Sequence, residues 1–397
     1  MAATNGSKHQ TIVRPLQYRD IDAIASLCQQ ATIPDPAVKA QIEQLLKQMN
    51  RWYAPFQFLN TIPTPNFTDR ALLVAEHEQQ LRGVISVSPF NRTRSTWHVE
   101  WVSLVNGSAR SPEDLQAGNP VEITGKNDIG SQLLRYCFEH IVDASTWVLE
   151  VDVNDNSALA LYRQNGFQPL AHLTYWEIAP ELLKELAQRE PDLPNLLPVR
   201  NTDAQLIYQL DTVSMPPLLR QVFDRQIHDF KNNLVQTMVG KVKEWFQQKQ
   251  SFSNYVFETQ RKAAIGYYRL SLNSDRQLST TENRQPHQAE LTVHPAYTWL
   301  YPELMAQLAR SCQYLPSQPL QLVSADYQPE REEYFQQIGA VRVKHSLLMS
   351  RSVWHKLREA KHLSLENLQI AEMLQSLQPS RQPLPNRIEK NDAEDLS

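Results

Sequence analysis

The sequence of 397 residues predicts an α/β protein built from two copies of one domain. The first observation is the segment 151–167, where an apolar run, a polar loop, a helical pattern and the pair Gly166-Phe167 follow one another. The second is the segment 324–340, which repeats this layout with Gly339 in the place of Gly166. A single long-range repeat indicates a duplicated domain and not a solenoid, whose repeats are much shorter. A chain of this length can also bury two cores.

Hydrophobic periodicity predicts the elements of the first half. Apolar residues at helical spacing predict helices, alternating or continuous apolar runs predict strands, and a glycine in the left-handed conformation ends the last helix. In chain order they are an apolar strand at 12–14, amphipathic helices at 21–30 and 36–50, a hairpin of apolar runs at 71–75 and 84–87, an alternating strand at 97–105, an amphipathic helix at 129–141, a continuous apolar strand at 147–153, a capped helix at 157–165 and a strand at 171–178 that closes the sheet.

The second half repeats this order with an enlarged helical region at 218–248, whose apolar stripe is either core or a dimer surface. A polar stretch at 106–119 is an insertion in the first half. The predicted limits are, in chain order, a disordered N-terminus at 1–10, an N-terminal domain at 11–180, a proline-rich linker at 181–196, a C-terminal domain at 197–355, an amphipathic helix at 356–378 and a disordered tail at 379–397.

Composition excludes several classes of function. The net charge of −4 offers no basic field for nucleic acid. No apolar run is long enough to span a membrane, and the N-terminus lacks the apolar core of a secretory signal. The three cysteines, Cys28, Cys137 and Cys312, form no CxxC pair and lie in amphipathic patterns, so we expect buried thiols and no metal site. These features predict a cytoplasmic protein.

Two segments resemble the GNAT family of N-acetyltransferases. The segment 157–167, with Leu161-Tyr162 four residues before Gly166-Phe167, resembles the acyl-CoA-binding helix of that family, and 131–136 resembles the helix after its phosphate loop. The resemblance extends over 11–178 and more weakly over 197–352. It implies a mixed, mostly antiparallel sheet flanked by helices in each half. It also implies acetyl-CoA as co-substrate, an amine as acceptor, direct attack in a ternary complex, and no metal.

The resemblance places the cofactor site on two loops. The phosphate loop matches Lys126, Asn127, Asp128, Ile129, Gly130 and Ser131, and the pantetheine loop matches Asn154, Asp155 and Asn156. The phosphate loop departs from the family pattern, because Asp128 stands where a glycine is expected and Gly125 stands where Arg or Gln is expected. A carboxylate there would repel phosphate, although Lys126 could offset the charge. In the alternative interpretation Asp128 only caps a helix that begins at Ile129 and no longer binds acetyl-CoA.

Two residues are catalytic candidates. The resemblance makes Tyr162 the general acid that protonates the departing thiolate, and its alternative is a tyrosine packed by its ring. Glu100 is the candidate base, since a glutamate within an apolar strand is costly to bury unless it is paired or solvated. Strand alternation places His98 and Glu100 on one face and Val99 and Trp101 on the other. If the apolar face is core, Glu100 points outward; His98 is a weaker alternative base.

The second half has lost the residues that the family uses to bind acetyl-CoA. Tyr301 and Glu303 stand at the two glycine positions of the family's phosphate loop, and Pro302 removes an N–H donor. Phe335 stands where the family has the general-acid tyrosine, although Tyr334 is adjacent. The predicted function is therefore an acetyl-CoA-dependent N-acyltransferase that uses the first half. The alternatives are a non-catalytic binding or assembly protein and an acyl-CoA sensor. We expect the second half to shape the substrate site, to stabilise the first half, or to form a homodimer or partner surface.

Overall fold

The computed structural model describes residues 11–24, 70–105 except 78, 126–231, 250–272, 286–313 and 318–354. The predicted insertion at 106–119, the terminal segments 1–10 and 379–397, and the helix at 356–378 lie outside the described residues. Met1–Val353 group into one compact unit, and Trp354–Ser397 form a second unit that lies almost wholly outside the described residues.

Strands and helices alternate in both halves of the described chain. The strands are β1 (Ile12–Pro15), β2 (Ala71–His77), β3 (Gln80–Pro89), β4 (Thr96–Leu104), β5 (Thr146–Asp152), β6 (Gln168–Ile178), β7 (Leu196–Pro198), β8 (Gln250–Glu258), β9 (Ala263–Leu272), β10 (His287–Val293), β11 (Leu320–Ala325) and β12 (Val341–Ser352). The α-helices are α1 (Lys126–His140), α2 (Asn156–Gln164), α3 (Pro180–Gln188), α4 (Ala204–Ser214), α5 (Pro217–Phe223), α6 (Leu300–Cys312) and α7 (Pro329–Gln337). The predicted α/β class is confirmed.

All twelve strands form one sheet, in the order β1-β2-β3-β4-β5-β12-β6-β11-β10-β9-β8-β7. The β4–β5 and β10–β11 pairs are parallel and the remaining pairs are antiparallel, as expected for a mixed, mostly antiparallel sheet. The order reads the same from both ends when β1–β6 are matched with β7–β12. The sheet therefore contains two copies of one strand arrangement around the central β12–β6 pair.

The last strand of each half lies beside a strand of the other half, because β12 pairs with β5 and β6 pairs with β11. The prediction that 171–178 closes the sheet of the first half is wrong, because β12 occupies the place beside β5 and β6 pairs with β11 instead. The cores are mixed accordingly. Leu347 and Met349 of β12 pack in the first core with α1 and α2, and Trp176 and Ile178 of β6 pack in the second core with α6. Sequence periodicity fixes which face of a strand is buried but not which neighbour it pairs with.

The two repeated Gly segments end their helices in the same way. Gly166 follows α2 with φ +79°, and Gly339 follows α7 with φ +83°, in the left-handed region that only glycine adopts readily. In both helices the last carbonyls accept the two N–H groups of a Schellman motif, since Phe167 N donates to Tyr162 O at 3.1 Å and Ala340 N to Phe335 O at 3.0 Å. This confirms the helix ends predicted from the repeat.

Two predicted segments differ in the structure. The helical region at 218–248 is interrupted, because α5 ends at Phe223 and Asp224 takes a left-handed φ of 43°; residues 232–249 lie outside the description. The predicted linker at 181–196 contains most of α3, whose Leu183 and Ala187 are buried in the second core. The limits at 11–180 and 197–355 remain a proposal. Within the described ranges there is no helix of sufficient length and apolar character to traverse a bilayer.

Candidate active site

Strands β4 and β5 run parallel and separate part-way along their length. They pair from Thr96 and Thr146 to Val99 and Leu149, and β4 then continues to Leu104. Beyond this point, within the described residues, β4 pairs only with β3 and β5 only with β12. We call the resulting gap the first wedge. The strand edges that face it carry backbone N–H and C=O groups that no neighbouring strand takes up.

Helix α1 begins beside the first wedge. A Cβ placed on Gly130 would lie 3.2 Å from the Leu104 side chain at the end of β4. The helix starts at Lys126, earlier than the predicted 129, so the prediction that Asp128 is its N-cap is wrong. The carboxylate lies instead in the first helical turn, exposed, and accepts a hydrogen bond from Gln132 Nε2 at 3.3 Å.

The first turn of α1 has N–H groups of the kind that bind anions in other proteins. The first N–H groups of an α-helix have no acceptor within the helix, and here these belong to Lys126, Asn127 and Asp128. Such groups bind phosphate readily, because they also lie at the positive end of the helix dipole. The exposed Asp128 carboxylate beside them would weaken binding of an anion by charge repulsion.

The other residues of the predicted phosphate loop have packing roles. Gly130 lies in the helix, and a Cβ there would approach Leu161 of α2 to 2.8 Å, so the absence of a side chain allows α1 and α2 to touch. Ile129 is buried in the first core. Ser131 is also buried, and its hydroxyl accepts a hydrogen bond from Asn165 Nδ2 at 2.8 Å, which joins α1 to the end of α2.

The three residues of the predicted pantetheine loop divide into one cap and two exposed amides. Asp155 is the N-cap of α2, and its Oδ1 accepts hydrogen bonds from Ala158 N at 2.9 Å and Ser157 Oγ at 2.7 Å. Asn154 and Asn156 are exposed, and their amide groups have no hydrogen-bond partner among the described residues. Only these two amides are therefore available to a ligand without breaking the helix cap.

Tyr162 lies in the first core on the α1–α2 side of the sheet. It is 7% exposed, and its ring meets Phe167 edge-on with 5.8 Å between centroids. Burial, with a contribution from the Asp155 charge, raises the pKa of its phenol above the ordinary 10. Its hydroxyl has no hydrogen-bond partner in the part of the chain that the structure describes. Tyr162 is therefore packed by its ring, and its hydroxyl makes no hydrogen bond to any described residue.

Glu100 lies on the opposite side of the sheet. Its oxygens accept hydrogen bonds from Ser86 Oγ at 2.6 Å and Ser88 Oγ at 2.9 Å, and Arg70 Nη2 lies 2.9 Å away. These serines alternate along β3 with Ile85 and Val87, which pack in the first core with Tyr162. The glutamate is thus a paired, mostly buried carboxylate directly after the last β4–β5 pair.

A β-bulge at Glu100 changes the predicted faces of β4. Ser86 pairs with Trp101 and Val87 pairs with Val99, which leaves Glu100 as the extra residue. As a result Val99 packs in the first core, whereas Trp101 packs on the other face in a small cluster with Ile21 and Ile24. The prediction that Val99 and Trp101 share a face is wrong for this reason.

Glu150 joins Glu100 at the first wedge and was missed in the sequence. His98 lies under the influence of both carboxylates, which oppose the effect of burial; burial prevails and lowers the pKa of the imidazole below 6.5. Glu150 accepts hydrogen bonds from Tyr175 Oη at 2.7 Å and Ser346 Oγ at 2.5 Å. We call His98, Glu100 and Glu150 the wedge triad. The argument that singled out Glu100, an acid within an apolar strand, applies equally to Glu150 in β5.

The second half has a corresponding gap between β10 and β11, which we call the second wedge. These strands pair only at His287 with Leu320 and at Gln288 with Gln321. Beside the second wedge, the Arg331 guanidinium of α7 donates to Val323 O at 3.2 Å and lies 5.9 Å from the Tyr301 ring centroid.

Arg331 and the residues that replace the family glycines are buried. Arg331 is 7% exposed, and its Nε and Nη2 have no partner among the described residues. Tyr301 stacks on Tyr334, and Glu303 binds Arg189 and accepts a hydrogen bond from Asp192 N at 2.8 Å. Large side chains therefore occupy the region where the resemblance expects an open phosphate loop. No cluster of three or more potential metal ligands occurs among the described residues.

Comparison with known proteins gives structural likenesses only. No family model matches the sequence, and no curated protein matches it. A GCN5-related N-acetyltransferase from Sphaerobacter thermophilus is 13% identical over 87% of this chain and 97% of its own, with a TM-score of 0.45. A tandem GNAT protein from the clavulanic acid biosynthesis pathway is 13% identical over 87% of this chain and 100% of its own, with a TM-score of 0.48. A putative acetyltransferase from Pyrococcus horikoshii is 10% identical over 90% and 94%, with a TM-score of 0.45. At these identities the likeness concerns the fold alone.

Proposed function

We propose that the protein is an N-acyltransferase that moves an acetyl group from acetyl-CoA to an amine at the first wedge. The observation that carries the proposal is the separation of β4 and β5 after Val99 and Leu149, with the start of α1 on one side and the wedge triad on the other. A thioester that enters from the α1 side and an amine from the triad side would meet at the gap. The second wedge lacks this arrangement, because Arg331 and Tyr301 lie there.

In this proposal the first turn of α1 binds the pyrophosphate, and the exposed amides of Asn154 and Asn156 bind the pantetheine arm. The amine nitrogen attacks the thioester carbonyl carbon. Glu100 takes the proton that the nitrogen loses, directly or through water, and neutral His98 is the alternative acceptor. The C–S bond then breaks, and the Tyr162 hydroxyl donates a proton to the departing thiolate. Acid and base lie on opposite faces of the sheet, so the proton from the amine and the proton for the thiolate would be transferred on different sides of the gap.

A non-catalytic binding protein or acyl-CoA sensor is the second candidate. The observation in its favour is the packing around Gly130, where Leu104 of β4 and Leu161 of α2 both lie within contact distance. These side chains narrow the α1 side of the first wedge. The packing of Tyr162 in the first core, where its hydroxyl has no partner among the described residues, and the Asp128 carboxylate support the same interpretation.

Calorimetric titration of the full chain with acetyl-CoA separates the two candidates. We expect micromolar binding by the native protein, and roughly fivefold tighter binding by the Asp128→Asn variant because one repulsive charge is removed. Glu139→Gln, which removes a charge from the other end of α1, is the matched control and should leave binding unchanged. Absence of binding by the native chain would overturn the acyltransferase proposal, and binding by the Asp128→Asn variant alone would show that the Asp128 carboxylate prevents it. Binding without transfer to any of a panel of amines would favour the sensor.

A further inference from the structure

A cavity of about 790 Å³ lies between the two halves, on the second half of the sheet. Its floor is formed by β9 and β10, one wall by α4, and the other wall by the β3–β4 turn together with Arg225 and Phe230. The acyl-transfer proposal makes no use of this cavity, and its lining residues do not include the wedge triad or α1.

Hydrogen bonds between the halves fix the walls of the cavity. Asn91 Nδ2 in the β3–β4 turn donates to Asp224 O at 3.1 Å, and Ser95 Oγ donates to the Asp224 carboxylate at 2.5 Å. Thr96 Oγ1 donates to Val222 O at 2.7 Å. The turn of one half is thereby held against α5 of the other, so the cavity does not have to form when a ligand arrives.

Arg225 presents a preorganised guanidinium to this cavity. Its carbon Cζ lies 5.7 Å from the Phe90 ring centroid and 5.2 Å from that of Phe223, and its Nη1 donates to Asp211 Oδ1 at 2.8 Å. The two aromatic rings and the carboxylate hold the side chain in one orientation. Its other N–H groups bond to no described residue, and the side chain is 35% exposed. A planar guanidinium held in this way is suited to bidentate binding of a planar carboxylate.

The remaining lining residues restrict the charge and shape of the ligand. Four arginines and three carboxylates line the cavity, namely Arg92, Arg94, Arg225, Arg269, Asp211, Asp229 and Glu290. Asp211 pairs with Arg225 and Glu290 pairs with Arg269, so carboxylate charge stays close to these guanidinium groups and would repel a dianion such as a phosphate monoester more strongly than a monoanion. Phe90, Phe230 and Tyr267 add aromatic surface for an apolar body.

We propose that this cavity binds a small monoanionic carboxylate with an apolar body, held by the Arg225 guanidinium, and that this binding does not require acetyl-CoA. The ligand class follows from the preorganised Arg225 guanidinium with its remaining N–H groups, the nearby carboxylates that disfavour a dianion, and the aromatic lining.

The test uses phenylacetate as the probe, with the full chain and no acetyl-CoA present, so its outcome is independent of the acyl-transfer proposal. A probe of this size should bind with a Kd on the order of 1 mM, which ligand-observed NMR measures well. Phenylacetamide, which has the same shape without the charge, and phenyl phosphate, which carries a larger charge, should each bind at least about tenfold more weakly.

Variants assign the binding to the cavity. Arg225→Gln should weaken phenylacetate binding at least about tenfold, and the double variant Arg225→Gln/Asp211→Asn should do the same while leaving no carboxylate unpaired. Arg220→Gln, five residues before Arg225 on the neighbouring helix α5 and outside the cavity, should bind as the native chain does. Equal binding of phenylacetamide, undiminished binding by both Arg225 variants, or no binding by the native chain would each overturn the proposal.

Discussion

Replacement of Met349 by alanine should destabilise both halves of the protein together. Met349 belongs to the second half of the chain but is fully buried in the first core, because β12 lies between β5 and β6. Strand β6 in turn carries Trp176 into the second core. A loss of packing around β12 should therefore also destabilise β6, which pairs with β12 and contributes Trp176 to the second core.

The expected magnitude follows from burial. Methionine to alanine at a fully buried site costs about 2–5 kcal/mol, and paired strands on both sides of β12 leave little room for the cavity to collapse. We expect a loss of about 3 kcal/mol in the free energy of unfolding, which raises the unfolded-to-folded ratio roughly 150-fold. The matched control is Val343→Ala on the same strand, where the side chain is 46% exposed and the cost should stay within about 0.5 kcal/mol.

Hydrogen exchange at increasing urea concentrations, read by mass spectrometry, measures the effect in each half separately. Peptides that contain Leu73 of β2 report on the first core, and peptides that contain Leu270 of β9 report on the second. The strand exchange predicts that both sets of amides lose the same free energy in Met349→Ala. Faster exchange confined to the first half would refute the idea that the halves unfold as one unit.

Three further predictions concern single residues. Burial holds the pKa of the His98 imidazole below 6.5, so the unfolded chain binds a proton at this residue at a higher pH than the folded chain does. The free energy of unfolding should therefore fall as the pH is lowered from about 6.5, and it should fall less steeply in His98→Gln. Urea midpoints at each pH measure this. Tyr162→Phe should leave stability within about 0.5 kcal/mol, because the hydroxyl has no partner among the described residues, yet slow acetyl transfer about 100-fold; equal rates would exclude the acid role. Arg331→Met should stabilise the fold by about 1–3 kcal/mol in urea denaturation, because the desolvation cost of two buried N–H groups is removed. A destabilised variant would show that the contacts of the guanidinium with Val323 O and the Tyr301 ring outweigh that cost.

Local features of the fold could be predicted from the sequence. The helix ends at Gly166 and Gly339 were predictable because the Schellman motif depends on a few neighbouring residues. The start of α1 was not, since Asp128 is an equally suitable residue for a cap and for a first helical turn. The break at Asp224 was missed for a related reason, because an apolar stripe continues through a left-handed residue without any change in spacing.

Pairings between strands that are distant in the chain could not be predicted from the sequence. The pairing of β12 with β5 depends on backbone hydrogen bonds between strand edges. Hydrophobic alternation indicates which face of a strand is buried but not which strand lies beside it. The candidate site shows the same division. Glu100 could be selected because a carboxylate in an apolar strand is costly to bury unless it is paired or solvated. The β-bulge that places it beside Ser86 and Ser88 depends on the register between β3 and β4, which the sequence does not give. His98 and Glu150 come together only once β4 and β5 are placed side by side.

The exchanged strands also have a consequence for synthesis of the protein on the ribosome. When β5 leaves the ribosome, its central partner β12 lies roughly 190 residues further along the chain, which takes about 10–40 s to synthesise at typical rates. Throughout that interval the first half has an open strand edge at Asp152 and its neighbours, next to an unfinished core. The nascent chain is therefore most exposed to mispairing with another copy of itself before the last twelve-residue strand emerges, and a stop codon shortly before Val341 would leave both halves without closure.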